Sequence, residues 1–438
     1  MTEAKFSVAG VTKFYVPLLM QGFSQSLSYP LVAGIVSHGE YGVNALSAFS
    51  QGLSIMFLIG SLGAGLITTG LIFAKTWYGY VSFRRLNTIM MGSLLFLQAL
   101  SAMPPFAGWI FEGFFALPPE LARVAQSTLL WGTVMNAGFF IRNLPMTILF
   151  NNLESGKANN ATIIRILVTL ALAVAFPRTG LTGPKWGLFA LTVGVWAETI
   201  VTWLYGQKYL RELKGVHPAV ERQPYSSGRG MEAGLGWELL IGQVKFALPL
   251  ALGGFLIACS PLITAAFVAR TANAADMLVI HYVTLGVANP VAFAALKFQT
   301  VSVKFLPEYE GDRRTLIYAI VSAALIGLIA LAFATPWLGD WYFGVFQNVP
   351  ERILPTAKLA IAIYAAIPII HAVRARIEGI AAAARNSRAV MFGQIAYTIA
   401  LFAVCWLMLP LGTPGWVMAI TAIFIGPIAT TLAVYATI

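Results

Sequence analysis

The chain has 438 residues, of which 58% are hydrophobic and only 10% are charged, and its mean hydropathy is +0.77. Soluble globular domains carry about 25% charged residues, so the composition excludes that class and indicates a polytopic helical membrane protein. The net charge of +11 does not imply a nucleic-acid partner, because Lys and Arg accumulate in the cytoplasmic loops of membrane proteins. The two cysteines, Cys259 and Cys405, lie in apolar runs and form neither a disulfide framework nor a metal motif.

Twelve stretches of the chain are long and apolar enough to cross a bilayer, which takes about 20 residues each. We expect an uncleaved first span, because the first apolar run is long and lacks a clear small-residue cleavage site. The predicted spans are 12–37, 44–73, 86–110, 121–150, 160–177, 186–206, 241–269, 276–306, 315–338, 353–383, 389–409 and 415–437.

The loops between these spans alternate between many and few basic residues. The basic side includes Arg84 and Arg85, Arg313 and Arg314, and the polar stretch 207–240. The positive-inside rule places that side, and with it both termini, in the cytoplasm of a cell (inner) membrane. We predict a six-helix lobe over 1–206, a cytoplasmic linker over 207–240, and a second six-helix lobe over 241–438.

The two predicted lobes repeat each other at a constant offset of 232 positions. The segment 12–28, TKFYVPLLMQGFSQSLS, aligns with 244–260, VKFALPLALGGFLIACS, and the same offset places Arg142 on Arg374 and Pro104 on Pro336. Because each copy has an even number of spans, both begin on the same side of the membrane. The sequence therefore predicts an all-α fold with a parallel pseudo-two-fold, in which a substrate would bind between the halves near mid-membrane.

The tenth span contains an unusual set of charges. Its segment Ile367–Arg385 holds His371, Arg374 and Glu378 at spacings that place them on one helix face, with Arg376 on another. A charge at the bilayer centre costs about 2.5–3.5 kcal/mol on insertion scales, so such residues are candidates for function. A structural Arg374–Glu378 pair, with Arg376 reaching the membrane surface, is the alternative interpretation.

Deep charge in the other spans is mainly cationic, which favours an anionic ligand. We predict substrate binding by six polar or basic residues: Arg142, Asn143, Asn136, Lys297, Arg374 and Arg376. Coupling or tuning is assigned to Glu378, His371 and Glu198, since a desolvated carboxyl or an imidazole can carry a proton. Arg165 begins span five and is expected to be an interfacial anchor. Pro145, Pro290 and Pro368 are expected to break spans four, eight and ten.

Several motifs of catalysis are absent from the sequence. There is no P-loop, no HExxH and no nucleophile elbow. We therefore expect a protein that is not an enzyme, that needs no cofactor or metal, and that takes its energy from a gradient of another solute or from the substrate's own gradient.

The repeated twelve-span pattern resembles the superfamily of multidrug exporters and lipid-linked oligosaccharide flippases. Within it, the chain resembles the progressive ankylosis protein family, through FYVPL (14–18), PLALGGFLIACSPLITAAFVAR (249–270), VRARIEG (373–379) and GW (415–416). This resemblance implies the export of small polyanions such as citrate, pyrophosphate or nucleotide phosphates, with Arg374 in the matching VRARIEG segment as a site residue.

The resulting hypothesis is a secondary transporter that moves a small polyanion across the bilayer by alternating access and works as a monomer. A flippase for a pyrophosphate-linked lipid is the first alternative, since such proteins also line a cleft with arginine. A multidrug cation exporter is the second, although spans one and two contain no Asp or Glu of the kind that such exporters use.

Overall fold

A computed structural model of the protein describes residues 5–115, 117–215, 231–309, 311–347 and 349–438, with side chains at all of these except 25–29, 43 and 231–235. Over these ranges the chain is almost wholly helical and contains no strand. Nine helices or broken helices in this part of the chain are long and apolar enough to cross a membrane. The all-α membrane fold expected from composition is confirmed.

The helices of the first half follow the predicted spans in order. They are α1 (Val8–Ser37), α2 (Gly42–Gly60), α3 (Leu66–Phe73), α4 (Trp77–Ser101), α5 (Pro119–Asn151), α6 (Ser155–Arg178) and α7 (Pro184–Gly215). A short 3₁₀ turn at Ser61–Gly63 separates α2 from α3 within one span.

The second half repeats this order. It comprises α8 (Met231–Val268), α9 (Ala274–Leu296), α10 (Phe298–Lys304), α11 (Arg314–Ala332), α12 (Pro336–Gly339), α13 (Leu354–Tyr364), α14 (Ile367–Ala383), α15 (Ser387–Met408) and α16 (Gly415–Tyr435). Helices α9 and α10 together form span eight, and α13 and α14 form span ten.

Two details of the predicted spans need correction. The helix of the third predicted span, α4, runs over Trp77–Ser101 rather than 86–110, because Thr76 caps its start by accepting a hydrogen bond from the Gly79 amide. Of the three prolines expected to break spans, only Pro368 lies at a break. Helices α5 and α9 continue through Pro145 and Pro290, since helices in a bilayer can satisfy the freed backbone groups by other means.

Matched backbone irregularities confirm the internal repeat. A π-helix at Gly108–Phe114 returns at Asp340–Phe346, which is 232 positions later at both ends. The left-handed residue that follows α5, Leu153, has a φ of 60°, and its counterpart Arg385 has the same value. Because non-glycine residues with positive φ are rare, this coincidence identifies equivalent helix ends.

Backbone contacts divide the chain into two compact units. The first unit runs from Leu27 to Ala251, and the second joins Leu252–Ile438 to the start of the chain as far as Ser26. The core of the first unit is built on apolar side chains such as Phe49, Phe83 and Phe111, and that of the second on Val268, Leu401, Cys405 and Met418. The lobe limits predicted at 206 and 241 stay a prediction. Within the predicted linker, α7 reaches Gly215 and α8 begins at Met231, while 216–230 lies outside the described residues.

Candidate functional site

The first unit buries a cluster of charged groups contributed by α5, α6 and α7, which we call the first cluster: Arg142, Thr162, Arg165 and Glu198. Glu198 is fully buried, and its Oε2 accepts hydrogen bonds from Arg142 Nη1 at 2.6 Å and Arg165 Nη1 at 3.0 Å. Its Oε1 accepts a third bond from Thr162 Oγ1 at 2.6 Å. One carboxylate therefore joins three helices.

Glycines allow these helices to come close enough for the contacts. A Cβ on Gly194 would lie 2.3 Å from Thr169 Oγ1 and 3.1 Å from the Arg165 carbonyl oxygen, so α6 and α7 touch where only glycine fits. A Cβ on Gly138 would lie 2.9 Å from Val195 Cγ1, which brings α5 to the other side of α7. Glu198 lies one turn after this contact and thus faces both arginines.

The first cluster carries one positive charge in excess, because two guanidinium groups share one carboxylate. Arg142 is 7% exposed and its Nε has no hydrogen-bond partner among the described residues. Its guanidinium also lies over the Phe139 ring, 4.9 Å from the centroid, a cation–π contact. A buried excess charge of this kind is costly unless an anion or water balances it.

The second unit buries a different group around α14, which we call the second cluster: Arg374, Glu378, His371 and Tyr397. Arg374 Nε donates to Glu378 Oε1 at 3.0 Å, one turn along the same helix, so the structural pair considered from sequence is present. Tyr397 on α15 lies under the guanidinium, with the ring centroid 5.2 Å from Cζ. Arg374 and Glu378 are each 3% exposed and balance each other in charge.

The two asparagines predicted to bind substrate have partners within the first unit. Asn136 is buried, and its Nδ2 donates to Gln98 Oε1 at 2.6 Å. Asn143 Nδ2 donates to Asn87 Oδ1 at a long 3.5 Å. Among the described residues, neither asparagine hydrogen-bonds to a member of the first cluster, and their substrate role stays a prediction.

Arg376, a predicted basic residue of the second unit, bonds to residues outside the second cluster. Arg376 is half-buried and donates from Nε to Thr315 Oγ1 at 3.0 Å and from Nη2 to the Asp312 carbonyl at 3.3 Å, at the start of α11. Lys297 is half-buried at the junction of α9 and α10. Arg376 thus hydrogen-bonds to the start of α11. The substrate roles of Arg376 and Lys297 stay predictions.

Arg165 is the residue that sequence reasoning placed wrongly. It was expected to anchor at the interface, but it is 3% exposed and bonded to Glu198. The signal available in the sequence was the spacing of Thr162 and Arg165, which puts both on one face of α6. Tyr397 was also missed, since an aromatic residue in an apolar span gives no sign of an arginine beside it. Among the described residues, no group of three His, Cys, Asp or Glu side chains could hold a metal ion.

Solved structures share this architecture at low sequence identity. The eukaryotic MATE transporter AtDTX14 aligns with a TM-score of 0.69 and 14% identity, over 98% of this chain and 94% of that one. An outward-facing multidrug resistance MATE family transporter of the MOP superfamily gives 0.70 and 16%, over 98% and 94%. The chain has the MATE fold.

A third neighbour with the MATE fold is a MOP superfamily transporter from Pyrococcus furiosus, described as having a binding pocket of reverse polarity that suggests a different function. It aligns with a TM-score of 0.66 and 16% identity, over 98% of this chain and 95% of that one. No protein-family model and no curated protein matches the sequence. At these identities the likeness establishes the fold, and the progressive ankylosis resemblance stays a prediction.

Proposed function

We propose that the protein is a secondary-active transporter that exports a small polyanion by alternating access, with substrates of the citrate, pyrophosphate or nucleotide-phosphate class. It would act as a monomer in the cell membrane with both termini in the cytoplasm and would need no cofactor. The MATE fold supports the transporter role, and the charge of the first cluster supports the choice of an anion.

The observation that carries the proposal is the sign of the buried charge. Along the described spans, away from the helix ends, the buried charged residues are three arginines and two glutamates: Arg142, Arg165, Arg374, Glu198 and Glu378. The second cluster is balanced, so the excess positive charge belongs to the first. An anion that approached Arg142 would be attracted by this excess, whereas a cation would be repelled.

Arginine geometry suits the proposed substrates. A guanidinium presents a planar fork of donors that matches carboxylate and phosphate oxygens, and charge-assisted bonds of this type are about twice as strong as neutral ones. Arg142 uses Nη1 for Glu198 and has an unpartnered Nε. A substrate carboxylate or phosphate can therefore add to Arg142 without first displacing Glu198.

Two other functions are compatible with the MATE fold. A flippase for a pyrophosphate-linked lipid would use the same arginines, and its substrate carries the same headgroup chemistry. A multidrug cation exporter is favoured by the solved neighbour that is named as a multidrug transporter and by the buried carboxylates Glu198 and Glu378. Each carboxylate is already bonded to arginine, which leaves less negative charge for a cation.

Counterflow into proteoliposomes tests the proposal. Vesicles loaded with unlabelled citrate or pyrophosphate should accumulate the labelled anion through the wild-type protein, and Arg142→Gln should lower the initial rate at least tenfold. Arg142→Gln leaves a one-to-one Arg165–Glu198 pair, so the variant should fold. Arg352→Gln is the matched control, because Arg352 is 71% exposed and pairs with Asp276 at a helix start. Anion counterflow that Arg142→Gln leaves unchanged would contradict the proposal.

A further inference from the structure

One end of the first unit carries five basic side chains, which we call the basic surface: Lys75, Arg84, Arg85, Arg211 and Lys214. The first three lie at the start of α4, and the last two lie near the end of α7. Four of the five are exposed, and Lys75 is half-buried. Within the part of the chain that the structure describes, none of them forms an ion pair, whereas the nearby Lys157 and Lys208 are paired with glutamates.

Apolar packing holds these helix ends together. Leu213 of α7 and Leu240 of α8 are buried in the same cluster as Leu86 of α4, and Trp77 packs against that cluster. The end of α7 and the starts of α4 and α8 therefore share one core. Their basic side chains project from a common support.

Two close approaches place the charges along α4. Lys214 Nζ lies 5.9 Å from the centroid of the Trp77 ring, so the end of α7 reaches the first residue of α4. A Cβ on Gly236 would lie 3.4 Å from Arg85 Nη1, so the start of α8 reaches α4 two turns further on. Trp77 and Arg85 are eight residues apart, which is about 12 Å of helix. The basic surface thus extends along the first two turns of α4.

Helix length places this surface at the level of the lipid headgroups. Helix α7 has 32 residues, which is about 48 Å of helix, and the hydrocarbon core of a bilayer is about 30 Å thick. Both ends of α7 therefore extend past the acyl chains. Trp77 and the exposed Tyr78 are aromatic residues of the kind that lie at the headgroup level.

The repeat-related part of the second unit does not have this surface. At the offset of 232, the cations of α4 correspond to apolar residues: Lys75 to Pro307, Arg84 to Leu316 and Arg85 to Ile317. Arg314, which lies at that end of the second unit, pairs with two carboxylates, those of Asp312 and Glu308. The unbalanced positive charge is therefore a property of the first unit and not of the repeated fold.

We infer that the basic surface binds the headgroups of anionic phospholipids, such as phosphatidylglycerol, in the leaflet that it faces. Arginine and lysine donate charge-assisted hydrogen bonds to phosphate oxygens, and the lipid's net negative charge balances cations that no carboxylate of the described chain balances. A zwitterionic lipid carries no net charge and binds more weakly. The basic surface shares no residue with the first cluster, so the inference does not depend on the transport proposal.

Native mass spectrometry of the purified full-length protein in detergent tests the inference. Phosphatidylglycerol should be retained at a lower concentration than phosphatidylcholine with the same acyl chains. Arg211→Gln combined with Lys214→Gln should weaken the retention of phosphatidylglycerol about 25-fold, which is about fivefold for each charge removed at a membrane surface. Both side chains are exposed, so the double variant should melt like the wild type in the absence of lipid.

A matched control removes the same charge at the other end of α7. Arg178 and Lys185 are exposed, and Lys185 Nζ lies 5.7 Å from the centroid of the Trp186 ring, as Lys214 does from Trp77. Arg178→Gln combined with Lys185→Gln should therefore retain phosphatidylglycerol as the wild type does.

Three outcomes would overturn the inference. The two double variants could weaken retention equally, which would show an effect of net charge alone. Phosphatidylglycerol and phosphatidylcholine could be retained alike. Pyrophosphate at the same phosphate concentration could displace phosphatidylglycerol, which would assign the basic surface to a soluble polyanion.

Discussion

Arg142 and Arg374 occupy equivalent positions in the repeat and are buried to a similar extent, but their carboxylate partners come from different places. Arg142 meets Glu198 on another helix, whereas Arg374 meets Glu378 on its own. At the offset of 232, Glu198 corresponds to Thr430, and Glu378 corresponds to Met146. The carboxylate has therefore changed position between the two copies while the arginine has stayed.

The second basic residue of the first cluster has also been exchanged. Arg165 corresponds to Tyr397, and both side chains contact the arginine site from the same helix of the repeat. The packing is kept as well: Gly194 lies against Arg165, and its counterpart Gly426 would place a Cβ 2.8 Å from the Tyr397 ring. The same backbone thus supports an excess positive charge in one copy and a charge-balanced pair in the other.

The largest effect should come from removing the carboxylate shared by two arginines. Glu198→Gln leaves two buried guanidinium groups unbalanced and should lower the free energy of unfolding by about 3–5 kcal/mol. Glu378→Gln leaves one buried guanidinium unbalanced instead of two and should cost about 3 kcal/mol, the lower end of that range. Equilibrium unfolding of the two variants in detergent measures the difference. Equal losses of unfolding free energy would contradict the proposed difference between the two clusters.

Moving the carboxylate to the position it has in the other copy should rescue part of this loss. In the Glu198→Thr background, Met146→Glu places an acid one turn after Arg142, as Glu378 is placed after Arg374. About 2 kcal/mol should be regained, the value of a buried charge-assisted hydrogen bond. The same unfolding measurement applies, and a double variant less stable than Glu198→Thr alone would show that the two sites are not interchangeable.

A smaller effect isolates the hydroxyl that bonds to Glu198. Thr162→Val removes the donor to Oε1 and should cost about 1.5–3 kcal/mol, the range for hydrogen bonds to charged groups. Thr169→Val is the control two turns later on the same helix, because the buried Thr169 hydroxyl has no partner among the described residues. Thermal melts of the pair should differ by several degrees, and coincident melts would remove Thr162 from the first cluster.

The smallest effect concerns the loop before α11. Arg376 donates a hydrogen bond to the Asp312 carbonyl in this loop, and the Asp312 side chain accepts hydrogen bonds from Arg314. In that loop, side-chain hydrogen bonds from Arg314 hold the pKa of Asp312 well below its usual value of about 3.9. The stabilisation from ionised Asp312 is fully present above about pH 3.9 and is lost as the pH falls toward the lowered folded-state value.

Limited proteolysis or hydrogen exchange of residues 308–314, measured across the acid range, reports the opening of this loop. In the wild type the loop should stay closed above about pH 3.9 and open progressively as the pH falls below that value, and Asp312→Asn should open it at neutral pH. An Asp312→Asn loop as protected at pH 7 as the wild type would exclude this role for the carboxylate.

Most of the fold could be predicted from the sequence, but only part of the candidate site could. Apolar runs and the repeat offset predicted the spans because hydrophobic length is the dominant constraint in a bilayer. The Arg374–Glu378 pair was also predictable, since its members are four residues apart. The Arg142–Glu198–Arg165 contact was not, because it depends on how three helices pack at Gly138 and Gly194, which residue spacing does not reveal.

The sign of the charge that crosses the membrane tests the central claim most directly. Proteoliposomes adsorbed to a solid-supported electrode report transient currents when a solute is added in a concentration jump. Citrate or pyrophosphate should give a current of negative charge moving with the solute, and Arg142→Gln should abolish it. Currents elicited by organic cations and not by these anions, with Arg142→Gln behaving as the wild type, would contradict the account.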